Sequence, residues 1–310
     1  MASGGEWLTA LVDVRGLEGE RFVEVARSWL METGRVLAGD LWGRLQASLP
    51  LVQPVDWEWD EPFGEPHGVW AMVFVVPGEG RALGELARPY SPESVEWMLS
   101  ELRYRPSRAE FTLFELDGEG VPHELGGTLT VRMEVLEGHP EWVQFSAGST
   151  LFAQTHSGMR PEVSDRWASV VRELVGQVDT SFGHICDDAA MGGPTALDNA
   201  VRRGDNITSI TEGQEVLRGY SWVTVVPAGL VQRLGGAEAM RASEAFTVVD
   251  ELPSGGLWLQ ATPHFADYDP AAVRRVFRAL APVLPAGQPK PNRFDEGPRR
   301  LIWDDAANWR

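Results

Sequence analysis

The spacing of hydrophobic and polar residues predicts a series of half-buried strands in the first half of the chain. Residues 109–116 and 127–136 alternate between apolar and polar side chains, as antiparallel strands do when one face of a sheet contacts the core. Residues 69–76 are continuously apolar and too short for a typical buried helix, so we expect a central strand. Two further strands are expected at 8–14 and 141–148.

A different spacing, with apolar residues three and four positions apart, predicts four amphipathic helices. The first covers 19–33, and Gly34 is expected to end it because glycine favours helix C-termini. The second follows Ser91-Pro92, a serine N-cap with proline at the first helical position, and ends before Pro106. The remaining two cover 161–178 and 269–281, the latter capped by Asp269.

Shorter elements complete the pattern. Strands are expected over the following ranges: 182–186, 220–226, 244–251 and 256–262. A helix that opens at Pro227 is expected to end at Gly235-Gly236. Three segments carry weaker signals. Residues 36–68 read mostly as loop with a short helix near 38–47, residues 187–214 as the longest flexible segment, and residues 286–310 as a tail that packs on the body.

Together these elements predict an α+β fold, with antiparallel sheets and helices packed on one face. Parts of the order resemble split β-α-β arrangements, so two ferredoxin-like subdomains are one option. The proposed division separates an N-terminal region, 1–150, from a C-terminal region, 151–310, which carries the Pro-rich tail. A single compact domain is the alternative.

Charge limits the classes of partner. The 310 residues carry a formal net charge of −18, which repels nucleic acid and anionic membranes and attracts basic proteins. With one cysteine, Cys186, an intramolecular disulfide is excluded. No membrane-spanning run and no secretory signal is visible, so we expect a cytoplasmic protein.

The candidate binding residues combine acidic and aromatic side chains. Between Pro54 and Pro62, carboxylates flank two indoles in a segment that we interpret as a surface loop with tryptophan anchors, namely Asp56, Trp57, Glu58, Trp59 and Asp60. The alternative is that the tryptophans fold back on the core. Asp187 and Asp188, at the end of a predicted strand, are also candidate binding residues.

Two clusters offer catalytic side chains. His184 and Cys186 share one face of a short strand that ends in Asp187 and Asp188. A turn before the last helix contributes a second set: His264, Asp267 and Tyr268. In both places a purely structural role is the competing interpretation. No metal-ligand spacing, phosphate-binding glycine loop or nucleophile elbow occurs, so no metal or cofactor is expected.

One pattern in the C-terminal half resembles a known family. It comprises an aromatic-rich strand, a short helix ending in Leu-Gly-Gly, a strand pair with an aliphatic Leu-Gln and a helix closing in Leu-Ala-Pro-Val-Leu-Pro. The residues that carry it are Arg218 to Val223, Leu234 to Gly236, Leu257 to Thr262, Tyr268-Asp269 and Leu280 to Pro285, within a span of about 70 residues. The pattern resembles bacterial type VI immunity family proteins, which are antidotes encoded beside secreted toxins.

The resemblance implies a non-enzymatic protein that binds and neutralises a cognate toxin, and it supplies no catalytic residues. The acidic charge suits a basic toxin. Two alternatives stay open. The chain is an enzyme that uses one of the two His/Asp clusters, or it is a regulatory or structural interaction module.

Overall fold

A computed structural model describes residues 8–51, 61–78, 80–81, 86–122, 127–150, 159–187, 193–202, 206–291 and 300–310. The strands, in chain order, are β1 (Leu8–Arg15), β2 (Val69–Val76), β3 (Ala87–Pro89), β4 (Arg108–Glu115), β5 (Thr128–Val135), β6 (Trp142–Ser149), β7 (Thr180–Cys186), β8 (Val223–Val226), β9 (Val248–Glu251) and β10 (Leu257–Gln260).

The α-helices are α1 (Gly19–Ser28), α2 (Gly34–Ala38), α3 (Asp40–Ala47), α4 (Pro92–Glu101), α5 (Pro161–Val175), α6 (Asn206–Thr211), α7 (Ala228–Val231), α8 (Gly236–Ala242) and α9 (Pro270–Leu280). Shorter helical turns lie at Trp29–Thr33, Leu102–Tyr104, Asp198–Arg202, Gln232–Leu234, Phe265–Asp267 and Ala306–Trp309. Helices combined with antiparallel strand pairs confirm the predicted α+β class.

The chain forms two compact units. Unit 1 comprises Met1–Leu8 and Gly16–Ser157, and unit 2 comprises Thr9–Arg15 and Gly158–Arg310. Most of β1 therefore belongs to the C-terminal unit, although it is the first strand of the chain. This long-range pairing has no local sequence signal.

In unit 1 the strands follow the order β3-β2-β4-β5-β6. The pairs β2/β4, β4/β5 and β5/β6 are antiparallel, with Val73 opposite Phe111 and Phe111 opposite Val131. Most apolar members of the alternating strands β4 and β5 are buried, including Leu113 and Met133, while Phe114 and Val135 are half-buried. The pattern thus predicts correctly which face of the sheet is covered. Strands β4 to β6 form a meander, which differs from the split β-α-β arrangement expected in this part.

The helix expected to end at Gly34 continues beyond it. A π-helical turn, Trp29–Thr33, connects α1 to α2, and the helix ends at Gly39, where φ is +56°. Gly34 has another role, because a Cβ atom there would lie 2.9 Å from Cδ1 of Phe111. The glycine allows the helix to approach the sheet closely. The short helix expected near 38–47 is confirmed as α3.

In unit 2 the strands follow the order β1-β7-β8-β10-β9. Strand β10 lies between β8 and β9 and is antiparallel to both, so β8 and β9 run in the same direction. Helices α7 and α8 connect β8 to β9. The split β-α-β arrangement expected for the C-terminal part is therefore present.

Several boundaries in unit 2 differ from the predictions. The strand expected from 220 begins at Val223, because the Ser221 amide donates to Thr224 Oγ1 at 3.0 Å and forms a turn before the strand. The strand expected from 244 begins at Val248. Gly235, with φ of +79°, separates two short helices, so a helix follows the predicted stop.

The segment expected to be the longest flexible one, 187–214, carries helical structure in its described part. Asp198–Arg202 and Asn206–Thr211 are helical, and the side chains of Asp198 and Ser209 are fully buried. The tail prediction is confirmed for the described residues 300–310, since Leu301 and Ala306 are buried and the Ile302 amide donates to the Tyr220 hydroxyl at 2.7 Å.

Candidate functional site

A fully buried arginine organises the polar interior of unit 2. Arg218 lies just before β8, and its guanidinium donates to carboxylates from two distant segments, Asp13 on β1 and Asp198. The same group donates to Asn206 Oδ1 at 2.6 Å and, through Nε, to Ser209 Oγ at 3.2 Å. We call Asp13, Asp198, Asn206, Ser209 and Arg218 the buried charge centre. It contains donors and acceptors in complementary positions.

The chain segment around Asp198 is closed by reciprocal hydrogen bonds. The Thr195 amide donates to Asp198 Oδ2 at 3.1 Å, and the Asp198 amide donates to Thr195 Oγ1 at 3.0 Å. The Thr195 hydroxyl in turn donates to the Arg218 carbonyl at 2.8 Å. Gly219 permits this contact, because a Cβ atom there would lie 3.0 Å from Thr195 Oγ1. The arrangement resembles a capping box and fixes Asp198 toward the arginine.

Electrostatics keeps the arginine charged. Burial alone would lower the pKa of Arg218, but the charges of Asp13 and Asp198 and their hydrogen bonds outweigh it, so the pKa is raised. The neighbouring His184 responds in the opposite direction. Burial, and secondarily the positive charge of Arg218, lowers the pKa of His184 to about 3. His184 is therefore neutral at physiological pH.

The two strand residues predicted to share a face do so. His184 Nε2 lies 3.7 Å from Cys186 Sγ, which is 3.2 Å from Thr9 Oγ1. The His184 ring also contacts Phe182 edge-on, with ring centroids 5.2 Å apart. Because both His184 and Cys186 are buried, this pair lies in the core of unit 2.

Residues from the two predicted catalytic clusters meet at an arginine that the sequence analysis missed. Arg300 forms an ion pair with Asp187, and its Nε donates to the Tyr268 carbonyl at 3.2 Å. The guanidinium lies 4.5 Å from the Phe265 ring centroid and 5.7 Å from that of Tyr268. Asp187 is thus positioned by the same side chain that covers the predicted turn.

The other predicted residues are dispersed. His264 Nδ1 lies 3.9 Å from Asp165 Oδ1, and Asp267 is exposed. Asp269 accepts from the Ala272 amide at 2.7 Å, which confirms its expected role as a helix cap. Asp188 lies outside the described residues. The same holds for the acidic loop, that is Asp56, Trp57, Glu58, Trp59 and Asp60.

A second polar and aromatic group lies at the surface of unit 2. Trp303, Asp304, Asp305 and Trp309, which we call the C-terminal patch, surround the helical turn Ala306–Trp309. The indole of Trp309 donates to Asp304 Oδ2 at 2.6 Å. Unlike the buried charge centre, this group is in contact with solvent.

The buried charge centre and the C-terminal patch differ in whether a ligand can reach their polar groups. The charged side chains of the buried charge centre bind one another and the neighbouring Asn206 and Ser209, and they are excluded from solvent, so the loss of one charged partner is expected to destabilise the fold strongly. In the described ranges, no group of three or more His, Cys, Asp or Glu side chains is suited to hold a metal ion. Nor does any helix in those ranges have the length and hydropathy needed to cross a membrane.

Comparison with known proteins gives one structural relationship. No family model matches the chain, and no curated protein matches it. A solved structure named as the Pseudomonas aeruginosa T6SS protein PA0821 is similar, with a TM-score of 0.56 and 12% sequence identity. The match covers 99% of this chain and 83% of that one. At this identity the likeness establishes a shared fold.

Proposed function

We propose that this chain is an immunity-like protein associated with type VI secretion, which binds a cognate toxin and neutralises it. The observation that carries the proposal is the shared fold with a protein named as a T6SS protein, over nearly the whole chain. The resemblance of the C-terminal half to type VI immunity family proteins points in the same direction. The fold comparison supports the association with type VI secretion, and the sequence resemblance supplies the immunity role.

The residues that carry the resemblance build the framework of unit 2. Trp222, Leu257 and Leu280 are fully buried, and Trp222 Nε1 donates to the Thr262 carbonyl at 2.9 Å. Such residues specify a scaffold, and none of them needs to contact a substrate. This agrees with a protein class whose function resides in a surface complementary to its partner.

Charge indicates the kind of partner. A net charge of −18 accelerates association with a basic protein and opposes association with nucleic acid or anionic lipid. The neutralised toxin is accordingly a basic protein that acts in the cytoplasm, where the antidote meets it.

The polar clusters also favour binding over catalysis. The enzyme hypothesis needs His184 as a proton carrier. His184 is buried, and it gains its second ring proton only under strongly acidic conditions. The enzyme alternative draws instead on Asp187 and Tyr268, which Arg300 joins through an ion pair and a hydrogen bond to the Tyr268 carbonyl. It predicts that Tyr268→Phe abolishes activity while the fold is retained.

Co-expression tests the proposal directly. Each basic protein encoded beside this gene is expressed in the bacterial cytoplasm with and without the chain, and growth is measured. We expect one such protein to stop growth and the chain to restore it, with a stoichiometric complex that dissociates as salt rises. His184→Gln and Tyr268→Phe should protect as well as the wild type. Growth arrest that the folded chain never relieves would overturn the proposal.

A further inference from the structure

The C-terminal patch contains a concentration of exposed aromatic surface. In the described part of the chain, four large hydrophobic side chains are more than a third exposed, and two of them are Trp303 (42%) and Trp309 (41%). The other two, Tyr104 and Ile207, lie far away in the sequence. Exposed indoles are enriched where proteins bind other proteins.

The segment that carries the two indoles is held in place. Leu301 and Ala306 are buried on either side of Trp303, and the Gln288 side chain donates to the Trp303 carbonyl at 2.8 Å. Asp305 Oδ1 accepts from the amides of Gly287 at 3.0 Å and Ala307 at 2.8 Å. A partner would therefore meet an ordered surface, which lowers the entropic cost of binding.

Two carboxylates lie between the indoles. The Trp309 indole, followed by the Asn308 amide, holds the pKa of Asp304 below its usual range. The backbone amide of Gly287, followed by that of Ala307, does the same for Asp305. Both side chains are charged at neutral pH, so the C-terminal patch places two negative charges beside two partly exposed indoles.

The ring of Trp309 already stacks on an arginine of this chain. The guanidinium carbon of Arg278 lies 4.5 Å from the centroid of Trp309. A planar guanidinium stacks on an indole and also pairs with carboxylates in a two-pronged geometry, whereas an ammonium does neither as well. The C-terminal patch offers both kinds of acceptor within one short segment.

We propose that the C-terminal patch is the docking site for an arginine-bearing surface of a basic protein partner. Charge complementarity selects this occupant, since the chain as a whole is strongly acidic. The inference deepens the proposed function and rests on it for the identification of the partner as a toxin. The sequence repeats the composition once more in Asp56 to Asp60, where carboxylates flank Trp57 and Trp59.

The test uses the full chain labelled with 5-fluorotryptophan and a nine-residue oligo-arginine peptide as the probe. Trp303→Phe and Trp309→Phe assign the two resonances in fluorine NMR spectra. We expect the peptide to shift both resonances. The double variant Trp303→Ala/Trp309→Ala should bind it about tenfold more weakly, and a nine-residue oligo-lysine peptide should bind the wild type several-fold more weakly than oligo-arginine.

Matched variants distinguish peptide binding at the C-terminal patch from general attraction to the negatively charged chain. Tyr104 is also exposed and lies 4.2 Å from the guanidinium of Arg81, so Tyr104→Ala removes an equivalent aromatic group in unit 1. Asp304→Asn removes one charge from the patch and keeps an oxygen that can accept from Trp309, whereas Glu238→Gln removes an exposed charge, paired with Arg241, elsewhere in unit 2. Asp304→Asn should weaken peptide binding, and the two control variants should not.

The outcomes are distinct. Equal affinity in the wild type and the double tryptophan variant overturns the docking proposal, as does a peptide response confined to other tryptophans. Circular dichroism verifies folding of each variant, and Asp304→Asn retains both indoles if the double variant fails to fold. In the growth assay, full protection by the double variant refutes the docking site and leaves the proposed function standing. Peptide binding that depends on the patch, without neutralisation of any toxin from the locus, refutes the proposed function alone.

Discussion

The buried charge centre and the C-terminal patch use the same chemical groups with opposite exposure to solvent. In the first, Arg218 lies between Asp13 and Asp198 and over the Phe182 ring, at 5.5 Å from its centroid. In the second, Arg278 lies over Trp309, whose indole donates to Asp304. In the first, the guanidinium and both carboxylates are buried and bound within the fold. The second is open to solvent, so its groups can exchange partners.

The difference follows from the local dielectric environment. An ion pair in the interior interacts strongly, but each of its charges has lost its hydration, so removal of one partner leaves a costly charge behind. An exposed pair gains little and loses little. The contrast between the two regions can therefore be measured with single substitutions.

The largest effect is expected for Arg218→Met. It leaves two buried carboxylates without their cation and should lower the free energy of unfolding by about 3–5 kcal/mol in urea titrations. Arg172→Met is the control, because Arg172 also pairs with an aspartate, Asp250, and lies over an indole, but with side chains 46% and 52% exposed. We expect Arg172→Met to lower the free energy of unfolding by less than about 1 kcal/mol. Equal losses of unfolding free energy in Arg218→Met and Arg172→Met would contradict the proposed effect of burial.

The next effect depends on pH. His184 has a pKa of about 3 in the folded chain, while an unfolded histidine titrates near 6.5. Unfolding therefore takes up a proton between these values, and stability falls as the pH drops below about 6.5, by up to about 1.4 kcal/mol per unit. Urea titrations at pH 7 and 5 should show about 2 kcal/mol less loss for His184→Gln than for the wild type.

A surface histidine provides the control for that measurement. His139 is exposed, so His139→Gln should lose as much stability on acidification as the wild type. Parallel pH dependence in the wild type and His184→Gln would mean that His184 is accessible to protons in the folded chain.

The third effect concerns Arg300, whose exposure lies between those of Arg218 and Arg172. Its side chain is 25% exposed and that of Asp187 is 7% exposed. Arg300→Met should cost about 1–3 kcal/mol, more than Arg172→Met and less than Arg218→Met. The critical result is the order of the three variants by loss of unfolding free energy. A loss for Arg300→Met that does not lie between those for Arg172→Met and Arg218→Met would show that side-chain exposure does not determine the cost.

The sequence predicts a helix or strand wherever the signal lies in neighbouring residues. Alternation identified β4 and β5, and the serine-proline and aspartate-proline starts identified α4 and α9. The prediction that Gly34 ends a helix was wrong. The sequence alone does not distinguish a glycine that ends a helix from one that allows close packing against Phe111. The helical turns within 187–214 were also missed, since they are stabilised by Arg218 and not by their own periodicity.

The site was harder to predict for a related reason. The lone carboxylate in β1, Asp13, lies in an otherwise apolar strand, and this anomaly was a usable signal of a buried partner. Its partner Arg218, however, is 205 residues away, and nothing local identifies it. Arg300 escaped notice in the same way, because its role depends on Asp187 and Tyr268, which come from separate segments.

The membership of β1 in unit 2 has a consequence for biosynthesis. At roughly 5–20 residues per second, the ribosome adds the 205 residues between Asp13 and Arg218 in about 10–40 s. For most of that interval the first strand exists without β7, its antiparallel partner in unit 2, because β7 ends only at Cys186. Completion of unit 2 is thus a late event in translation, and the nascent apolar strand is a natural client for a chaperone until then.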